Sequence, residues 1–422
     1  MKTDMNFSTP ALADYIAKLS AIGRTHNHGT TRLLYSESWM QAQEQLAAWF
    51  AESGLTVSYD DIGNLYGQVA GTDEDAPAVM TGSHIDTVVD GGKYDGAYGI
   101  LAAMLAVSEL KKRYGPPKKP IKVVSLCEEE GSRFPLSFFG SGSITGIYGE
   151  DVLARQDEKG ISVFEAMKAW GFGTGHYRSP KNLGLDAFIE VHIEQGAVLE
   201  QANESIGLVT HIVGQRRMSV HVNGESNHAG TTPMHMRQDA MTASADLIRG
   251  LTELAKEHEP EMVATVGQIS THPNTVNVIA GKVTFTVDIR HYDERVLETY
   301  IEKLHQFCDR KAFEQGVAVA LEEWMTAKPV AMDRGLTETA ERLLADSPIA
   351  YRKMTSGAGH DAQIFGSVVP TALLFVPSVQ GISHSPKEFT AIEDLSAGVD
   401  VLMDLIYERA YERESSDKGD KR

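Results

Sequence analysis

A chain of 422 residues exceeds the size at which a single hydrophobic core usually stops growing, so two domains are expected. Its 58 acidic against 39 basic side chains leave a formal net charge of -19, which argues against nucleic acid and anionic membrane surfaces as partners and requires a local cluster of Arg, His or metal to meet any anionic substrate. Cys127 and Cys308 are too few for a disulfide scaffold, the amino-terminal residues lack an apolar segment, and no run of about 18 residues is free of charge, so a cytoplasmic location without signal peptide or membrane span is expected.

From Leu12 to about Ser53 apolar residues recur at helical spacing, interrupted by the polar stretch His26 to Thr31. GNLYGQV (Gly63 to Val69) reads as a strand, and AVMTGSHID begins apolar and ends in chemistry. Ala97 to Lys112, rich in Ala, Leu and Met, predicts a helix that GPPKKP stops. IKVVSLCEEEG predicts a buried strand ending in acids. FIEVHIEQG (Phe188 to Gly196) alternates, with Ile189, Val191 and Ile193 on one side and Glu190, His192 and Glu194 on the other. Strand, helix and strand in this order, with polar groups at the carboxyl ends of strands, is how an open α/β sheet meets a ligand.

The texture changes between about Val213 and Met325. Strand RMSVHVNG, helix Asp239 to Lys256, strands MVATVGQIS and KVTFTVDIRH, helix Glu294 to Gln315 and strand VAVALEEW predict a compact α+β module with antiparallel character. From about Lys328 the α/β pattern resumes with a helix near Gly335 to Ala345, a loop SGAGHDAQ, a strand TALLFVPS, a helix Ile392 to Arg413 and a polar surface tail. The expected organisation is thus a discontinuous α/β body, residues 1–212 and 328–422, interrupted by an α+β domain at 213–327.

Four segments carry metal-binding chemistry. In GSHIDTVVDGGKYDG, His84 and Asp86 project to the same side of a strand end, and Asp95 precedes a glycine and a helix. An imidazole with a nearby carboxylate can be a ligand with its orienting partner, although an isolated His-x-Asp fits ordinary hydrogen bonding equally. In CEEEGSRF three adjacent carboxylates end an apolar strand, which a protein interior holds ionised only with cations or shared protons; a solvated acidic loop is the other reading. Cys127 fits a core position better than a ligand. His192 in HIEQG and His384 in GISHSPKE add imidazoles. Nitrogen and oxygen donors without thiolate suit Zn²⁺, Mn²⁺ or Co²⁺. In TFTVDIRH, Phe285, Val287 and Ile289 form an apolar face and Arg290 lies opposite, where its fork can grip a carboxylate or form a surface ion pair.

In this order, GSHIDTVVDGGKYDG, CEEEGSRFP, HIEQG, GQRR, ESNHAGTTPM, NTVNV, DIRH, SGAGHDAQ and GISHSPKE resemble the M20-type metallohydrolases over nearly the whole chain, and within them the carbamoyl amidohydrolase branch. TTRLLYS and SIGLVTHIVGQRR are most similar to the allantoate-hydrolysing members; N-carbamoyl-L-amino-acid hydrolases and β-ureidopropionases are similar groups. The resemblance implies a zinc-peptidase-like α/β catalytic domain, an inserted α+β lid domain through which a homodimer forms, and two divalent ions per subunit (Mn²⁺ or Zn²⁺, with Co²⁺ possible). It implies hydrolysis of a small anionic ureido substrate. Its ligands would be His84, Asp95, Glu130, His192 and His384, with Asp95 bridging, Glu129 the general base and Asp86 orienting His84. Gln195, Arg216, His228, Asn277 and Arg290 would bind substrate, His228 reaching the site of the neighbouring subunit, and Gly359 and His360 would line the substrate end. CEEEG offers three acids where the family pattern uses two, so Glu129 and Glu130 are assigned by counting back from Gly131.

Overall fold

The computed structural model describes residues 9–73, 75–181, 184–258 and 262–411. Contacts divide the chain into two compact units, one formed by Met1–Thr210 with Ala331–Arg422 and the other by His211–Val330. The strands, in chain order, are β1 (Thr56–Tyr59), β2 (Leu65–Val69), β3 (Ala78–His84), β4 (Ile121–Leu126), β5 (Leu185–Ile193), β6 (Ile206–Ile212), β7 (Gly214–Asn223), β8 (Val263–His272), β9 (Lys282–His291), β10 (Ala318–Ala327), β11 (Val330–Ala331), β12 (Tyr351–Ser356) and β13 (Thr371–Val376).

The larger unit is an α/β body. Its sheet has the order β1-β2-β4-β3-β5-β13-β6-β11, with β12 on β6. At its centre β4, β3, β5 and β13 run parallel, so their carboxyl ends share one edge of the sheet. The helix Ala97–Tyr114 packs on β3 and β5, and Ile392–Ala410 packs on that helix and on β13. Ala97–Tyr114 buries residues on nearly every side, from Ala97 and Tyr98 to Val107 and Leu110, as expected of a helix that is apolar all round. Lys111, Lys112 and Arg113 in its last turn face the negative end of the helix dipole, and Gly115 ends it at φ 75°.

The predicted alternation of β5 is present, but both of its faces are buried. Glu190 and His192 are 0% and 1% exposed, as enclosed as Val191 on the other side. A central parallel strand is covered on both faces, so its polar residues are enclosed rather than solvated. SGAGHDAQ, expected as a loop, contains the start of a short helix, Asp361–Phe365. A carboxylate from β5 supports it, for Glu190 accepts the amide of Ala362 at 3.0 Å. That long-range support leaves no trace in local sequence. The predicted tail beyond Tyr411 lies outside the described residues.

The inserted unit is α+β: an antiparallel sheet of order β10-β7-β9-β8, with Ala240–Lys256 and Glu294–Gln315 packed against it. Val283, Phe285, Val287 and Ile289 alternate into the core with Leu247, Leu251, Leu297 and Leu304. Thr284, Thr286, Asp288 and Arg290 occupy the other face of β9. Asp239 and Asp293 cap the two helices by accepting backbone amides of their first turns, each worth about 1 kcal/mol. Among the described residues no helix is long and apolar enough to cross a membrane.

Candidate metal centre

The parallel strands deliver the chemistry at their carboxyl ends. His84 closes β3, the acids 128–130 follow β4, His192 is the penultimate residue of β5, and Ser383 and His384 lie in the loop after β13. Asp95 sits between β3 and the helix Ala97–Tyr114, next to Gly96. A Cβ at Gly96 would lie 2.5 Å from the His84 ring, and its φ of 62° strains other residues, so glycine is what lets the carboxylate and the imidazole approach.

Asp95 is the shared element of two clusters. Its Oδ1 lies 3.4 Å from His84 Nε2 and 3.2 Å from His192 Nε2, while its Oδ2 lies 3.2 Å from His384 Nε2. The same His384 nitrogen is 3.2 Å from Glu130 Oε1. The donor atoms of His84, Asp95 and His192, and those of Asp95, Glu130 and His384, fall within 4.8 Å of one another in each group. The five residues expected as ligands are therefore brought together.

The hydrogen-bond pattern tests whether cations fit. His84 Nδ1 faces the main-chain carbonyl of Asp86 at 3.0 Å and His192 Nδ1 that of Ile193 at 2.9 Å. A carbonyl only accepts, so each Nδ1 carries a proton, and in the neutral ring Nε2 presents a lone pair. The amide of Gly96 donates to His192 Nε2, as that tautomer requires. Two imidazole lone pairs aimed at one carboxylate oxygen repel unless protons or cations lie between them. Glu130 Oε1 is buried and faces the same His384 nitrogen. Without a cation, the imidazoles must be protonated: hydrogen bonds to Asp95 and Glu130 push His384 up to about 10. Burial works to raise Asp95, but hydrogen bonds from His192, His384 and His84 hold it well below the carboxylate range. Exchange of such protons for divalent ions is the ordinary linkage of an N/O metal site, and the residues fit it. Cys127 is no part of it, its buried sulfur facing the carbonyl of Ile62 at 3.5 Å.

Around this centre the acids divide their tasks. Asp86 was expected to orient His84, yet its Oδ1 is 3.7 Å from that ring, and the Asp86 main-chain carbonyl holds Nδ1 instead. The Asp86 carboxylate accepts the amides of Glu129 and Glu130, each at 3.1 Å, and so fixes the acidic loop. Glu128 turns away and accepts the amides of Arg133 and Phe134 at 3.2 and 3.4 Å, which separates it from Glu129 and Glu130. Glu129 is 9% exposed, and burial pushes its carboxyl well above the usual range, with Glu130, Asp361 and Asp86 adding to the rise against His84. Gln195 donates to Asp95 Oδ2 at 3.0 Å and also neighbours Ser383 and His384. His360 is buried with its ring 4.6 Å from that of His192, and burial keeps it neutral. Gly359 abuts Phe138, which a Cβ would meet at 2.9 Å.

Arg216, His228, Asn277 and Arg290 belong to the inserted unit. Arg216 pairs in register with core-facing Ile289, and its guanidinium is buried against Glu294 and the carbonyl of Ala327. Arg217 takes the other face and meets Asp288 at 2.8 Å, while Arg290 holds the same carboxylate at 2.9 and 3.0 Å. These three, with Thr265, Gln268 and Trp324, line a cavity of about 450 Å³. His228 and Asn277 are exposed on adjacent segments joined by an isolated bridge, His228 to Val278.

Several residues around the centre escape a reading of local pattern. Arg32 is fully buried, its Nε donating to the carbonyl of Ile85 at 2.8 Å. Glu190 accepts from Ser83 at 2.6 Å, and Asp361 accepts from Ser141 at 2.5 Å. Glu388 binds the amides of Tyr94 and Asp95. GISHSPKE contained Glu388, but nothing in its spacing pointed to a partner almost 300 residues away.

Comparison with known proteins agrees with this geometry. The family model described as peptidase family M20/M25/M40 matches residues 80–408. The chain is 45% identical over 402 residues to an allantoate amidohydrolase of Bacillus subtilis (strain 168), covering 95% of this chain and 98% of that protein. It is 36% identical over 378 residues to an N-carbamoyl-L-amino-acid amidohydrolase of Paenarthrobacter aurescens, covering 89% and 92%. The crystal structure of an amidase of the hydantoinase/carbamoylase family from Burkholderia multivorans superposes with a TM-score of 0.92 at 35% identity, over 97% of this chain and 99% of that one. With an α/β catalytic body, an inserted α+β unit and clustered N/O ligands, the chain belongs to the M20/M25/M40 peptidase family, in its allantoate amidohydrolase and carbamoylase branch, and carries the active site of a metal-dependent amidohydrolase.

Proposed function

We propose that the protein hydrolyses a ureido group of allantoate, releasing ammonia and CO2 and leaving ureidoglycine. Ureido and carbamoyl hydrolysis is common ground for its branch, and the observation favouring allantoate is the 45% identity to the Bacillus subtilis allantoate amidohydrolase, against 36% to the carbamoyl-amino-acid enzyme. The reading takes His84, His192 and Asp95 as one ligand set and Asp95, Glu130 and His384 as the other. Mn²⁺, Zn²⁺ and Co²⁺ all suit such donors. When bound, two such ions supply polarisation of a poorly electrophilic urea carbonyl and an acidified water.

Glu129 takes the attacking water's proton and returns it to the departing nitrogen, a task suited to a carboxyl whose pKa is raised by burial. Asp86 holds Glu129 in place through its amide. In the α/β body Gln195, Gly359 and His360 serve substrate binding, and in the inserted unit the candidates are Arg216, Arg290 for a carboxylate, and His228 and Asn277 as donors to an oxyanion. In a homodimer, His228 serves the neighbouring subunit and residues 213–327 act as the lid. A panel of allantoate, N-carbamoyl-L-amino acids and N-carbamoyl-β-alanine, assayed with Mn²⁺ and with Zn²⁺, tests the substrate. Highest kcat/KM on allantoate is expected; preference for a carbamoyl amino acid would transfer the protein to the other group of its branch.

A further inference from the structure

The loop carrying Asp95 is held by a residue outside both ligand sets. Glu388 is 4% exposed, and its Oε1 accepts the amides of Tyr94 at 2.8 Å and Asp95 at 3.2 Å. Its Oε2 lies 3.0 Å from the hydroxyl of Ser383, which is also 3.2 Å from Asp95 Oδ2. The approach demands a bare backbone at Gly92, where a Cβ would fall 2.1 Å from the Glu388 carboxyl carbon. Glu388 therefore ties together two chain segments, 92–95 and 383–388, that meet only through the tertiary fold.

The contacts around Asp95 are unequal. Oδ1 is faced by His84 and His192 from the regular strands β3 and β5. Oδ2 is faced by His384, which comes from an irregular loop, has a φ of 52° and keeps 47% of its side chain exposed. Strand ends fix the first pair of imidazoles through the sheet ladder, whereas a loop ligand needs support of its own. Glu388 supplies that support at both ends of the contact. It fixes the backbone of Asp95 on one side and, through Ser383, the residue preceding His384 on the other.

We propose that Glu388 is a positioning residue for the ion held by Asp95, Glu130 and His384, with Ser383 as its relay. This rests on the reading of those three as ligands. Partners outside the ligand shell of this kind change metal affinity by about 10- to 100-fold.

The test is competitive chelator titration of the purified full-length protein with Zn²⁺, reading each binding step separately, with a His384→Ala variant marking which step belongs to the His384 ion. Two ions in the wild type are the check on the ligand reading, and fewer than two would overturn that reading itself. Glu388→Ala is expected to weaken the His384 step by about 10- to 100-fold and to move the other by less than about 3-fold. Glu388→Gln should recover most of the loss, because its amide oxygen can accept both backbone amides while its NH₂ donates to Ser383. Equal weakening of both steps, no weakening, or a Gln variant no better than Ala would overturn the proposal. Should Glu388→Ala fail to fold, Ser383→Ala decides: selective loss at the His384 step supports the relay, and an unchanged titration overturns it.

Discussion

At the carboxyl ends of β3, β4, β5 and β13, the side chains of His84, His192 and Asp95 are 2%, 1% and 5% exposed, whereas on the open face of the inserted sheet Arg217, Asp288 and Arg290 retain 36%, 26% and 26%. Both regions concentrate charge, but they balance it differently. In the inserted unit one carboxylate lies between two guanidiniums, so the chain supplies its own counter-charge and water screens the remainder. In the α/β body Asp86, Asp95, Glu129 and Glu130 converge with buried Arg32 as nearby cation, and burial lowers Arg32 itself to about 10. A cluster of that kind requires protons or divalent ions, while the open face requires neither.

The largest effect should come from the buried cluster. Chelation is expected to abolish turnover and added divalent ion to restore it, while Glu129→Gln should keep two ions, by elemental analysis, yet lose about 10³-fold in kcat. Turnover within tenfold of wild type would remove Glu129 as the base and leave only a structural contrast between the regions.

On the open face the expected loss is smaller and of another kind. Arg290→Ala should lower kcat/KM for carboxylate-bearing substrates by about 10- to 100-fold, the worth of a charge-assisted pair, without changing metal content. An unchanged kcat/KM would confine Arg290 to its contact with Asp288. A parallel loss of bound metal would show that the two regions are not separable in the way their charge balance suggests.

The smallest effect concerns a half-buried carboxylate, Asp400, that nearby Arg113 relieves only in part. Burial, followed by Asp404, raises Asp400 to about 7, and its Oδ1 has no hydrogen-bond partner. A folded-state pKa above the unfolded value means that ionisation opposes folding: the penalty is absent below about pH 4, grows towards pH 7 and is complete above it. Asp400→Asn should therefore leave thermal stability unchanged near pH 4 and raise it at pH 8, by on the order of 1 kcal/mol or about 2 °C after allowance for partial hydration. The same midpoint shift at both pH values would show that Asp400 is not titrating.

Much of the architecture was legible because side-chain periodicity is local. The period of two in β9 separates Phe285, Val287 and Ile289 from Asp288 and Arg290, and the helix Glu294–Gln315 has the bounds its pattern predicts. The short helix at Asp361 was not legible, since the carboxylate that supports it belongs to β5. Nor was the partition of CEEEG, which depends on where Arg133, Phe134 and Asp86 lie in space and not on their order in the chain.

Local sequence carries the chemical inventory, namely imidazoles and carboxylates placed where apolar strands end, because burial of a strand and the identity of the residue that follows it are both written locally. Tertiary structure alone decided which oxygen of Asp95 meets which imidazole, that Asp86 grips amides in preference to a ring, that adjacent Arg216 and Arg217 part to opposite faces, and that Glu388 reaches back to residue 95. Each of these is a matter of a few tenths of a nanometre between segments far apart in the chain, and such distances are set by the packing of strands and loops against one another.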